Sequence, residues 1–121
     1  MVTIIDLKIN ITGLNKSNRY QHWGKSSTIA SRQRNLAAIV VANNRVLGKI
    51  SSHSPRFIIS FIRSGKRLLD NDNLIGGLKH IRDGVCDAIG INDGSDKIEF
   101  RYTQHKEPFY KLRIEIDDCT P

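Results

Sequence analysis

Asp70-Asn71-Asp72-Asn73 places two carboxylates one residue apart, a few residues after a basic stretch, Arg63-Ser64-Gly65-Lys66-Arg67. Lys79 and Asp83 follow within an apparent helix, and another acid, Asp93, comes after it. Carboxylates set among cations in a chain of net charge +7 suit a metal ion held beside a bound polyanion. A chain that only gripped phosphate would not need acids there. Asp is also a common turn and cap residue, so capping by Asp70 and Asp72 stands beside the metal reading.

Several other chemistries are excluded. A calcium loop of the EF-hand type needs an oxygen ligand near position 74 and a glycine after it, and Leu74 stands there instead. The chain has no glycine-rich phosphate loop with its lysine, no zinc-ligand cluster and no nucleophilic serine motif. The acids that remain suit a hard, octahedral ion, Mg²⁺ or Mn²⁺. Such an ion neutralises phosphate charge and activates water. Lys79 lies roughly 10 Å of helical rise beyond Asp72. Helical side chains lean toward the N-terminus, so its ammonium can reach back toward the acids. An i, i+4 pair with Asp83 is the alternative role for Lys79.

The 121 residues fit one domain, 1–121, with 39% hydrophobic and 26% charged residues, an ordinary globular balance. The positive charge favours an anionic partner, nucleic acid first and a membrane surface second. No apolar run has the length of a membrane span, and the N-terminus lacks a signal-peptide pattern. The expectation is a cytoplasmic protein with no membrane association, in which Cys86 and Cys119 are reduced thiols. Lys16, Arg19, His22, Lys66 and Arg67 are candidates for phosphate contact, with plain solvation as the alternative for each. Tyr20 and Trp23 can stack on exposed bases or anchor their loop on the core. None of the four histidines, His22, His53, His80 and His105, stands in a metal-ligand pattern.

The elements that must position these groups read as follows. Ile5, Leu7, Ile9 and Ile11 alternate with polar residues and predict a strand with one buried face. A polar loop, 13–24, precedes a helix that starts near Ser26 to Thr28 and runs to about Leu47 before Gly48. Ile29, Leu36, Ile39, Val40, Ala42 and Val46 recur along it at helical spacing. Phe57 to Ile62 is apolar on both faces, as a central strand would be. A second helix is expected from Asn73 to Ile89, capped by Asp72 and stopped by Gly90. Its buried stripe is Leu74, Leu78, Ile81, Val85 and Ala88 or Ile89, and Asp72, Lys79 and Asp83 share the opposite face. Gly76 and Gly77 interrupt that helix at a cost of roughly 1 kcal/mol each relative to Ala, which suggests close approach by DNA or by another chain. Ile98 to Thr103 and Tyr110 to Asp117 alternate and predict a closing hairpin. The expected fold class is α+β: one domain in the order β-α-β-α-β-β, one mixed sheet with helices packed on it.

Asp70-Asn71-Asp72-Asn73-Leu74, followed by Lys79, Asp83 and Asn92-Asp93, resembles the RusA family of Holliday-junction resolvases, in its phage-type branch. The opening Leu14-Asn15-Lys16-Ser17-Asn18-Arg19-Tyr20 with His22-Trp23 is similar to that family's Asn-, Arg- and Tyr-rich start, so the resemblance spans nearly the whole chain. It implies a homodimeric, Mg²⁺-dependent endodeoxyribonuclease of bacteria or their phages that nicks four-way DNA junctions symmetrically. It further implies that Asp70, Asp72 and Asp93 are the metal-binding catalytic acids and Lys79 the lysine of the catalytic site. Asn92 stands where the family often carries a second acid, and Asp96 is close enough to share the role of Asp93. The rival function is a DNA-binding module for branched or duplex DNA that cuts nothing.

Overall fold

The period-2 segments become strands and the helically spaced segments become helices. A computed structural model describes residues 2–12, 23–51 and 54–119. The order is β1 (Val2–Leu7), α1 (Trp23–Val46), β2 (Phe57–Gly65), α2 (Asn71–Gly77), α3 (Lys79–Ile89), β3 (Ile98–Lys106) and β4 (Lys111–Asp117). The fold is α+β with one mixed four-stranded sheet, as expected, and the second helix is divided in two. The first helix also begins at Trp23, ahead of the Ser26 to Thr28 start the capping residues suggest.

The expected hairpin does not form. Strand order is β1-β4-β2-β3, so β2 separates β3 from β4. It pairs parallel with β3 (Phe57 to Gly65 against Ile98 to Lys106) and antiparallel with β4. The reason lies in β2 itself. Phe57, Ile59 and Phe61 are fully buried on one face, while Ile58 and Ile62 are half-buried on the other. Only an interior place gives such a strand two partners. The Phe61 ring sits 6.1 Å from Phe100 and 5.7 Å from Tyr102. The chain from β3 to β4 steps over the end of β2, where the Glu107 amide donates to the Gly65 carbonyl at 2.9 Å. β1, β2 and β3 therefore run one way and β4 against them. We call the end where β1, β2 and β3 finish the upper edge, and the opposite end the lower edge.

The core lies on one face of the sheet. Ile5, Leu7, Leu112, Ile114 and Ile116 face it from the strands, and Leu74, Leu78, Ile81, Val85 and Ile89 face it from α2 and α3, the stripe expected from sequence. The first helix buries a different stripe. Ala37 and Val41 are fully buried, whereas Ile39 and Val46 stand 59% and 87% exposed. Small residues win that face because the helices touch. A Cβ on Gly84 would lie 2.1 Å from the Arg34 carbonyl oxygen and 2.9 Å from the Ala37 Cβ. At the lower edge Thr3 Oγ1 donates to the Lys49 carbonyl at 2.7 Å, and buried Asp118 accepts from the Ser51 amide at 2.9 Å. These bonds fasten the exit of α1 beneath the sheet. No helix among the described residues is long and apolar enough to cross a membrane.

Candidate functional site

The acidic motif starts at the upper edge, where β2 ends. Asp70, not Asp72, is the helix cap. Its Oδ1 accepts from the Asn73 amide at 2.9 Å and its Oδ2 from the Asn73 side-chain amide at 3.1 Å. The helix therefore opens at Asn71, two residues before the expected start. The correction has a physical basis that the sequence carries. Asn73 stands three residues after Asp70 and donates both its backbone and its side-chain amide to that carboxylate, whereas Ile75, three residues after Asp72, offers no side-chain donor. Asp72 instead occupies the first turn, exposed and with no partner among the described residues. Its charge suits the positive end of the helix.

The helix breaks at Leu78, whose amide is shared between the Leu74 and Ile75 carbonyls at 3.2 Å each. Gly77 permits the approach that goes with the break. A Cβ there would lie 2.4 Å from the carbonyl oxygen of Thr12. The close contact foreseen from the glycine pair is made at Gly77 by the chain's own Thr12. The break also ends the shared face of Asp72, Lys79 and Asp83, because that face required one continuous helix. Lys79 opens α3, exposed, with no ion pair to Asp83 among the described residues. Asp83 is half-buried and lines a cavity near the lower edge.

Lys66 and Arg67 project from the upper edge, both exposed, and Lys66 Nζ stands 5.8 Å from the centroid of the Tyr110 ring. Two side chains that sequence reasoning passed over hold the segment between them and Asp70. Arg63 is 3% exposed; its Nε donates to the Ile11 carbonyl and its Nη1 to the Arg67 carbonyl, each at 2.8 Å. Gln104, its neighbour across the β2–β3 ladder, grips both backbone groups of Leu69. The Arg63 guanidinium lies against Gly65, where a Cβ would meet its Nη2 at 2.8 Å. Every Asp and Glu of the chain lies among the described residues, and none pairs with Arg63. Burial therefore pushes this guanidinium below its ordinary range. The signal was present in the sequence. Arg63 shares the parity of Phe57, Ile59 and Phe61, and would have declared itself had the strand been carried past Ile62.

Asp93 lies beyond the C-terminus of α3, toward the lower edge. Its carboxylate is 3.6 Å from Arg82 Nη2 and half exposed, and Asp96 is exposed in the same loop. Arg82 also donates to the Tyr102 hydroxyl at 3.1 Å and lies 5.3 Å from the Phe100 ring centroid. Burial works against the charge on Arg82; Tyr102, Asp93 and Asp83 outweigh it and raise the guanidinium above its ordinary range. Beside this pair is an open cavity of about 410 Å³ lined by Arg34, Asp83, Cys86, Asp87 and Asp93. The Cys86 thiol is pushed up to about 11 by burial first and then by Asp93, which disfavours its thiolate at neutral pH.

Asp70 and Asp72 thus follow Lys66 and Arg67 in the chain at the upper edge, whereas Asp93 comes after both α2 and α3. Among the described residues no three His, Cys, Asp or Glu side chains stand close enough to hold one metal ion. Lys16, Arg19, His22 and Tyr20, and the side chain of Trp23, lie outside the described residues. Neither a protein-family model nor a curated protein matches this chain.

Proposed function

We propose that this chain is a Mg²⁺-dependent endodeoxyribonuclease that resolves four-way DNA junctions as a homodimer, in the manner of the RusA resolvases it resembles, in the cytoplasm of a bacterium. What carries the reading is the upper edge. There an exposed, unpartnered Asp72 sits beside Asp70, a few residues from the unpaired cations Lys66 and Arg67. Acid beside base without pairing is poor surface design, but it suits a phosphate held next to a divalent ion. Mg²⁺ commonly takes only one or two protein carboxylates and completes its shell with water and phosphate oxygen, so Asp70 and Asp72 fit as its donors. Asp70 keeps lone pairs for this even while capping α2. Mn²⁺ would fit the same donors. Bound there, the ion supplies neutralisation of phosphate charge and a more acidic water. Lys66 and Arg67 would bind the backbone on one side of the scissile phosphate. Lys79, two turns along, would stabilise charge developing on its oxygens.

The third acid follows from the separation within one chain. Among the described residues one copy does not gather Asp93 with Asp70 and Asp72 into a three-carboxylate cluster. A two-fold dimer that sets the lower edge of one copy against the upper edge of the other would bring each Asp93 to the other copy's Asp70 and Asp72. Two such composite sites would give the paired nicks that resolution requires. The rival, a DNA-binding module that cuts nothing, draws on the capping by Asp70 and the pairing of Asp93 with Arg82.

Mixed dimers separate these readings. Asp72→Asn and Asp93→Asn proteins are each expected to be inactive on a synthetic four-way junction with Mg²⁺. Unfolded and refolded together, they should regain roughly one quarter of wild-type nicking, as single unpaired nicks, from random assortment into two-fold dimers. No recovery would place all three acids in one copy, and nicking by Asp93→Asn on its own would remove Asp93 from the reaction. Absence of nicking by wild-type protein would leave the binding module.

A further inference from the structure

A buried guanidinium with no carboxylate is a costly choice for a strand whose other inward residues are Phe57, Ile59 and Phe61. A methionine would fill the same space without a desolvated charge. What the arginine does that methionine cannot is join two separate segments. Its Nη1 holds Arg67, just before α2, and its Nε holds Ile11. The residue after Ile11, Thr12, packs its carbonyl against Gly77 at the far end of α2. Gln104 adds a two-pronged grip on Leu69, one residue before the cap. The short helix carrying Asp72 is thus braced at its entrance and at its exit by side chains from the inner face of the sheet. Gly65 leaves room for the guanidinium by having no side chain.

We propose that Arg63, with Gln104, is a positioning residue for phosphodiester cleavage: it fixes α2 so that Asp72 meets the phosphate while Lys66 and Arg67 hold the backbone. This rests on the nuclease reading above. Three variants test it, each read by nicking rate at saturating junction, by junction affinity, and by amide exchange at Leu69 and Asn73. Arg63→Met keeps the stem and loses the donors. Arg63→Lys keeps the charge, but an ammonium cannot reproduce the fork to two carbonyls. Gln104→Leu removes the second grip and spares Arg63. All three are expected to exchange faster at Leu69 and Asn73. Nicking at saturation should fall by about tenfold or more for both Arg63 variants, with affinity changed less, because misplacement of a reacting group is felt mainly in the chemical step. Gln104→Leu should fall in the same direction by less. Wild-type nicking by Arg63→Lys would overturn the proposal, leaving charge as the only requirement. So would variants that lose only thermal stability while exchange and nicking in the folded protein stay unchanged. If Arg63→Met fails to fold, Arg63→Lys and Gln104→Leu still decide. Failure of the nuclease reading is distinguishable, because it appears in wild-type protein and removes both readings at once.

Discussion

Two groups of charges in the molecule are treated differently. Around the C-terminal half of α3 several are matched, as Asp6 is by Arg113 and Lys111 on β1 and β4. Arg34 binds Asp87 through two hydrogen bonds of 2.7 and 2.9 Å, Arg82 meets Asp93, and Arg45 donates to the Ala88 carbonyl. At the upper edge Lys66, Arg67, Asp72 and Lys79 are exposed and none is in an ion pair among the described residues, while a buried Arg63 goes without a carboxylate. Matched charges are accounted for by the chain alone, and unmatched ones are open to solvent or to a partner. On the proposed function that partner is DNA at the upper edge, with the region of Asp93 architectural unless a second copy recruits it.

The contrast is broken or sharpened by four measurements, the largest effect first. Asp72→Asn should cost nicking on the order of 10³-fold or more, the scale of losing an essential catalytic group. Since Asp70 supplies the cap, stability should move by no more than about 0.5 kcal/mol, as for other exposed positions. A variant that nicks at the wild-type rate would make the upper edge no more than a solvated surface. Gly84→Ala should do the reverse. Its Cβ would meet the Arg34 carbonyl, and forcing α1 off α3 should lower stability by about 2–3 kcal/mol, with nicking per folded molecule retained. If denaturant midpoints coincide with wild type, the helices are not in contact there.

Lys66→Ala with Arg67→Ala should flatten the log–log salt dependence of junction affinity by about 1.8, or 0.9 for each duplex phosphate no longer neutralised. An unchanged slope would move the DNA surface elsewhere. The smallest effect belongs to the exposed Arg34–Asp87 pair. Hydrogen bonding to Arg34 holds the Asp87 carboxyl below its ordinary range. A depressed acid contributes its stability above its unfolded pKa and loses it as pH falls through the lower folded value. Wild type should therefore lead Asp87→Asn slightly at neutral pH, and the two should converge as pH drops below about 4. A difference that persists at lower pH would show that the pair is not its source.

Local patterns carried most of the fold. Alternation located β3 and β4 and part of β1, which runs Val2–Leu7 and ends before the expected Ile9 and Ile11; the two-faced apolar run identified β2 as interior, and Gly90, at φ 81°, stops α3 where expected. The hairpin expectation failed because nearness in sequence says nothing of a third strand with a stronger claim to the middle. The glycine pair signalled a close approach correctly, but only tertiary structure identified the visitor at Gly77 as Thr12. The site was half legible. Residue type picked out Asp70 and Asp72, yet capping went to the one whose neighbour at i+3 could donate a second, side-chain hydrogen bond. Arg63 and Gln104 stayed hidden because they act through backbone groups of distant segments, which leave no mark in local composition. That one copy does not gather Asp93 with Asp70 and Asp72 among the described residues was equally invisible, since it depends on how α2 and α3 carry the chain.

The insertion of β2 has a consequence for how the protein is made. β4 is the strand that joins the sheet, pairing with β1 on one side and β2 on the other. During synthesis β1 emerges first, yet it finds no partner until residues 111–117 have left the ribosome. β2 and β3 can assemble earlier across α2 and α3, leaving one side of β2 bare. Pairings of such long sequence separation form slowly, and uncovered strand edges invite association in the meantime. The strand that joins the sheet is thus the last of the described strands to be made, and β1 and one side of β2 stay without their β4 partner until then.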